Sequence, residues 1–268
     1  MSVRSDLRRD GRSPRPLRVA AVGDVHFSAD SAGVLKPALE HLPERADMLL
    51  LAGDLTRRGL PREAAVLAEE LHEVEVPVLA VLGNHDYHAD QQDEVRRVLE
   101  KAGVQVLEGE ALVLRVHGTS VAVAGVKGFC GGFVGAASEF GEPEMKAFAA
   151  LARASAEELE RALAGCVADH KIALVHYAPI EATLVGEREE VWPFLGSYLL
   201  AQAVDRAGAD LCLHGHAHGG SEKGETPGGV PVRNVAQAVI KKAYALYELG
   251  PATRGRPRPL LGSGAFER

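Results

Sequence analysis

Three histidines at period two, His214, His216 and His218, alternate with Gly215 and Ala217 after the apolar stretch Leu211-Cys212-Leu213. In an extended backbone alternate side chains share a face, so these imidazoles would line one side with nothing bulky between them. Imidazole is the commonest metal-ligating side chain. Taken singly, each histidine is an ordinary satisfied core or surface residue. Four other apolar runs also end in polar clusters: residues 17–23 in Asp24 and His26, 48–53 in Asp54, 77–83 in Asn84-His85-Asp86, and 170–175 in His176. Any one of these is ordinary turn or cap chemistry; five together point to one oxygen- and nitrogen-lined metal site. The set lacks the cysteines of a structural zinc site and fits Mn, Fe or Zn, with Asp54 as the carboxylate able to offer one oxygen to each of two ions.

The elements that carry these residues alternate. Buried-strand runs at 17–23, 48–53 and 77–83 are separated by expected helices at 34–42, 61–73 and 90–102, the last with Asp90 as N-cap and Gly103 past its end. Three short strands at 104–107, 111–117 and 120–126 follow and suggest an antiparallel meander. A long alanine-rich helix at 142–165 leads to the strand before His176, and a helix at 199–207 to the strand before His214. Closing strands are expected at 231–235 and 243–249. Loops 127–141 and 180–195 follow strands that point at the cluster. Their Phe129, Phe133, Trp192 and Phe194 are candidates for lining a substrate pocket, or for plain packing. In open α/β sheets ligands gather where the carboxyl ends of strands meet, which places all five clusters on one edge.

Length and composition bound the class. The 268 residues, 46% apolar and 25% charged, suit one α/β domain over 17–250, between a basic leader (1–16) and a C-terminal tail (251–268). Residues 1–18 carry six Arg against two Asp and 251–268 four Arg against one Glu, so the formal −7 leaves the body at −14. A body so acidic argues against a nucleic-acid partner. Three scattered cysteines without a CxxC fit a reducing cytoplasm. No apolar run approaches the ~20 residues a membrane span needs, and no secretory signal is evident.

The motifs Asp24-x-His26, Gly53-Asp54, Gly83-Asn84-His85-Asp86, His176 and Gly215-His216-x-His218, spread in that order over residues 24–218, resemble those of the calcineurin-like metallophosphoesterase superfamily. The resemblance implies a four-layer αββα sandwich of two mixed β-sheets flanked by helices, with two metal ions in its cleft. By the same resemblance Asp24, His26 and His218 would hold the first ion, Asn84, His176 and His216 the second, and Asp54 both. It also implies hydrolysis of a small-molecule phosphate ester, more in keeping with a diester, by a metal-bridging hydroxide. His85 would be catalytic, protonating the leaving oxygen, and Asp86 would orient it through a hydrogen bond. A nuclease of the same superfamily and a non-catalytic metal-binding scaffold are the alternatives. The acidic body weighs against the first, and the full set of ligands against the second. His214 is expected behind the ligands rather than among them. Arg57 and Arg58 are equally candidates for a phosphate contact and for an exposed loop pair, and His88, His117 and His170 carry no signal.

Overall fold

The buried runs are apolar on both faces, the mark of strands covered on two sides, and the fold shows why they must be. A computed structural model describes residues 15–134 and 140–250. In chain order the strands are β1 (Leu17–Val22), β2 (Met48–Ala52), β3 (Val78–Val81), β4 (Gln105–Val106), β5 (Glu110–Val116), β6 (Thr119–Val126), β7 (His170–Val175), β8 (Leu211–His214), β9 (Lys223–Glu225), β10 (Pro231–Asn234) and β11 (Ala245–Leu249). The helices are α1 (Lys36–Leu39), α2 (Leu42–Arg45), α3 (Pro61–Leu71), α4 (Gln92–Lys101), α5 (Pro143–Ala164), α6 (Trp192–Leu195), α7 (Tyr198–Ala207) and α8 (Gln237–Ile240).

The strands form two mixed sheets flanked by helices. One is ordered β11-β1-β2-β3-β4 and the other β5-β6-β7-β8-β10-β9. β11, β5 and β9 run antiparallel to their neighbours, and the other pairings are parallel. Alternation along each strand sorts the side chains into layers. Val19, Ala21, Leu50 and Leu79 meet Val121, Val123, Ile172 and Leu174 between the sheets. Ala20, Val22, Leu49 and Leu51 face outward with Leu67, Leu71 and Leu99 of α3 and α4. Ala173 and Val175 face outward with Leu159 and Leu163 of α5 and Leu200 and Val204 of α7.

Three expectations need correction. The meander over 104–126 does not form: β4 closes the first sheet beside β3, and only β5 and β6 pair as a hairpin, in the other sheet. The chain changes sheets between them, where Leu107 N–H still bonds to Ala80 and Gly109 N–H already bonds to Gly125. The helix expected over 34–42 divides into α1 and α2, each starting with Pro in its first turn. Asp90 does not cap α4; it has φ 54°, and no side-chain bond caps that helix. The basic leader falls outside the described residues up to residue 14, the C-terminal tail falls outside entirely, and residues 135–139 of the loop 127–141 do so too.

One buried carboxylate ties the segment after the first polar cluster to α3. Glu70, 6% exposed, accepts hydrogen bonds from the backbone N–H groups of Gly33, Leu35 (2.7 Å) and Lys36 (2.7 Å). Glu70→Ala leaves these donors without their acceptor and should lower the unfolding free energy by about 2 kcal/mol. Denaturant titration checks this, and an unchanged midpoint would contradict it.

Candidate metal centre

Five strands from the two sheets, β1, β2, β3, β7 and β8, deliver the polar clusters to one cleft, so the site lies between two sheet edges rather than along one. Nor are its residues in extended backbone as expected. Asp24, His26, Asp54 and His216 have φ of 57°, 43°, 50° and 70°, a left-handed region that costs non-glycine residues energy and gathers at functional sites. After β1, β2 and β8 the strand thus stops short of these residues, and a left-handed turn carries their side chains into the cleft.

Two glycines allow the approach. A Cβ on Gly83 would collide with Oδ1 and the backbone nitrogen of Asp54, and one on Gly215 with the Asp24 carboxylate. These strand-end glycines were visible in the sequence, but their reason was not. They let the neighbouring loops touch the carboxylates.

The resulting geometry makes two donor groups that share one residue. Ligand atoms of Asp24, His26, Asp54 and His218 lie within 4.8 Å of one another, and so do those of Asp54, His176 and His216. Asp54 divides between them: Oδ1 lies 3.3 Å from His176 Nε2, while Oδ2 lies 3.8 Å from His26 Nε2. In the first group His218 Nε2 is 2.8 Å from Asp24 Oδ1 and 3.4 Å from His26 Nε2. In the second, the His176 and His216 rings are 4.8 Å apart, and Asn84 Oδ1 is 2.9 Å from His176 Nε2.

The donor chemistry fits metal ions. His176 Nδ1–H donates to the Ala52 carbonyl at 2.9 Å, and burial pushes its pKa down to about 3, so the ring is neutral with its Nε2 lone pair free. That lone pair faces two oxygens, of Asn84 and Asp54, which are themselves acceptors. A cation between them removes the conflict, and the carbonyl-anchored imidazole is the usual second layer of a metal site. In the other group, burial pushes the Asp24 carboxyl up to about 6 against the pull of His218. His26 is lowered by burial, and His218 is raised chiefly by its bond to Asp24.

His85 stands apart from both groups. Its ring packs edge-on against His26 at 4.6 Å, and Nε2 lies 3.9 Å from Asp54 Oδ2. Its Nδ1–H donates to the Arg57 carbonyl at 2.9 Å. Asp86 therefore does not orient it through a hydrogen bond, contrary to expectation. That carboxylate is fully buried and accepts from Leu55 N (3.1 Å), Thr56 N (2.7 Å), Thr56 Oγ1 (2.6 Å) and Gly83 N (2.8 Å). Asp86 ties the loop after β2 to the turn after β3 and so sets where the His85 backbone stands. Arg57 contributes its carbonyl, and its side chain and that of Arg58 are exposed.

His214 lies behind the ligands. It is buried, its Nδ1–H donates to the Gly215 carbonyl at 2.8 Å, and Nε2 meets the Thr183 hydroxyl at 2.9 Å. Thr183→Val should cost about 1–3 kcal/mol by leaving a buried ring nitrogen unpaired, with metal stoichiometry unchanged; loss of metal would contradict the supporting role. Segment 180–195, expected as a loop, contains short 3-10 turns at Glu181–Leu184 and Glu189–Val191 before α6. It is pinned to the histidine loop by Gly219 N–H donating to Glu187 Oε1 at 2.6 Å. Phe133 and Trp192 pack under Ala217, whereas Phe194 is 62% exposed with its carbonyl 3.3 Å from His216 Nε2. Phe129 packs on Phe148 and Tyr177. A cavity of about 990 Å³ beside Phe133, Pro179, Ile180 and Tyr198 includes none of the seven candidate ligands, so the chemistry does not lie there.

A family model described as calcineurin-like phosphoesterase matches residues 17–220. A symmetrical bis(5'-nucleosyl)-tetraphosphatase of Nitrosococcus oceani is 38% identical over 72 residues, 27% of this chain and 25% of that protein. A probable cyclic nucleotide phosphodiesterase of Synechococcus is 31% identical over 80 residues, 26% of this chain and 31% of that protein. The chain thus spans about a quarter to a third of the curated relatives it matches. The crystal structure of a phosphopantetheinyl hydrolase from Mycobacterium tuberculosis superposes with a TM-score of 0.62 at 17% identity, covering 91% of this chain and 99% of that one. At that identity the likeness concerns the fold alone.

Proposed function

The chain belongs to the calcineurin-like phosphoesterase family, and on that basis we propose that it is a two-metal phosphodiesterase acting on small phosphate esters. The observation that carries this reading is Asp54, one carboxylate whose two oxygens face two separate donor groups. Asp24, His26 and His218 would hold one ion, Asn84, His176 and His216 the other, and Asp54 both. Bound there, two ions would supply Lewis acidity to the phosphoryl oxygens and lower the pKa of a water.

The chain's own residues do the rest. His85, fixed through Nδ1 by the Arg57 carbonyl, holds its Nε2 beside the shared carboxylate and delivers a proton to the departing oxygen. Asp86 holds the turn that carries it. A diester is favoured over a monoester by the name of one relative, the probable cyclic nucleotide phosphodiesterase. The acidic body favours a small substrate over nucleic acid. Among the described residues no helix is long and apolar enough to cross a membrane. The free thiols of Cys130, Cys166 and Cys212 support a cytoplasmic setting.

The test is direct. Metal-stripped protein is reconstituted with Mn²⁺, Fe²⁺ or Zn²⁺ and assayed on aryl phosphate mono- and diesters. Hydrolysis with diester preference is expected; silence with every metal and ester would overturn the reading.

A further inference from the structure

Beside the centre lies a cation that the chemistry above does not use. Lys127 follows β6, and its backbone carbonyl accepts the N–H groups of His176 and Tyr177 at 3.0 and 3.1 Å. Its half-buried ammonium lies 4.8 Å from the ring centre of Tyr87, and 5.5 Å from those of Phe129 and Tyr177. Tyr87 follows His85 by two residues, and Tyr177 follows His176. Nζ is therefore bracketed by the two motifs that border the second donor group.

Ring faces attract a cation but accept none of its hydrogen bonds in the manner of an oxygen. Among the described residues no carboxylate forms an ion pair with Nζ, and no acceptor takes a hydrogen bond from it. The nearby Glu108 carboxylate is occupied by the Tyr87 hydroxyl (2.8 Å) and Leu82 N–H (3.2 Å). An ammonium so placed keeps donors to offer. Among the charges that act on it is that of Asp54. The Tyr177 ring that flanks Nζ also lies 4.4 Å, centre to centre, from the His216 ring. The cation and a candidate ligand thus border the same ring.

We propose that Lys127 contacts substrate, binding a second phosphoryl group joined to the reacting one, and so selects esters that carry two adjacent phosphoryl groups. The inference rests on the phosphoesterase reading above. Burial holds this ammonium below the ordinary lysine pKa, so a bound anion also restores the charge that desolvation disfavours.

Wild type, Lys127→Met and Lys127→Arg are compared by calorimetry on the metal-loaded protein. The two probes are AMP, with one phosphoryl, and its non-hydrolysable α,β-methylene diphosphate analogue, with two. Wild type should bind the two-phosphoryl probe more tightly. Lys127→Met should weaken that probe about 10-fold, the size of one charge-assisted hydrogen bond, and AMP by much less. Lys127→Arg, which keeps the charge over the rings, should restore most of the difference. No preference in wild type, equal weakening of both probes in Lys127→Met, or no change would each overturn the proposal. An equal loss would mark a lysine that merely supports the rings, which a thermal melt would register as lowered stability. Turnover of bis(p-nitrophenyl) phosphate by wild type reports separately on the phosphoesterase reading, which can stand while the role of Lys127 fails.

Discussion

Replacing Asp54 with Asn is expected to abolish one of the two metal sites and to lower kcat/KM by roughly 10³-fold, because Lewis-acid stabilisation is worth several kcal/mol and about 1.4 kcal/mol is a factor of ten. The substitution is isosteric. The Asn oxygen can still accept the His85 N–H that Asp54 Oδ1 accepts at 2.8 Å, so the turn after β3 keeps its anchor. What disappears is the second anionic oxygen. In Asp54 that oxygen faces His26, while its twin faces His176. An amide NH₂ at either place would point a donor at a cation. Metal analysis by mass spectrometry should find one ion tightly held and the other lost or weakened 10–100-fold or more. Two tightly bound ions in Asp54→Asn would show that Asp54 does not bridge.

Removing the His85 imidazole should separate catalysis from metal binding. His85→Ala is expected to lower kcat by about 10²–10⁴, the usual contribution of a positioned proton donor, with both ions retained because His85 belongs to neither donor group. The loss should depend on the leaving group. A p-nitrophenolate departs without a proton, so aryl esters should lose least and alkyl esters most. The Nδ1 bond to the Arg57 carbonyl makes Nε2 the nitrogen that faces the departing oxygen. Equal losses across leaving groups would point to a role in binding the phosphoryl group instead. Full activity would remove His85 from the chemistry.

The residues of this cleft were legible because strand runs such as Met48–Ala52 are closed by chemically distinctive residues, and because their types agree on one kind of ligand. Their conformation was not. A period-two argument places His214, His216 and His218 on one face, but β8 ends at His214 and His216 takes a left-handed φ of 70°. His214 consequently turns to Thr183, and only the other two reach the cleft. Steric strain of this kind is a property of the assembled turns, whose cost is met by packing elsewhere. The sheet assignment failed for a related reason. β4 is two residues long and β5 is partly exposed along its length, so neither pattern carries a sign of which sheet it joins, and the change of sheet shows in where Leu107 and Gly109 find partners. For Asp86, adjacency to His85 in the sequence suggests a pair that the fold does not form. Burial instead spends its carboxylate on the backbone N–H groups of Leu55, Thr56 and Gly83 and on the Thr56 hydroxyl, which no spacing rule encodes. Lys127, a lone lysine after a strand, has no signature in the sequence until the fold brings Tyr87, Phe129 and Tyr177 around it.

On the proposal that Asp54 is shared by two ions, metal count and activity should rise together, and titrating metal-stripped protein with Mn²⁺ reads both at once. The expected result is two ions per chain at saturation, with diester hydrolysis appearing only as the second binds. Saturation at one ion per chain with full activity would contradict the two-metal account.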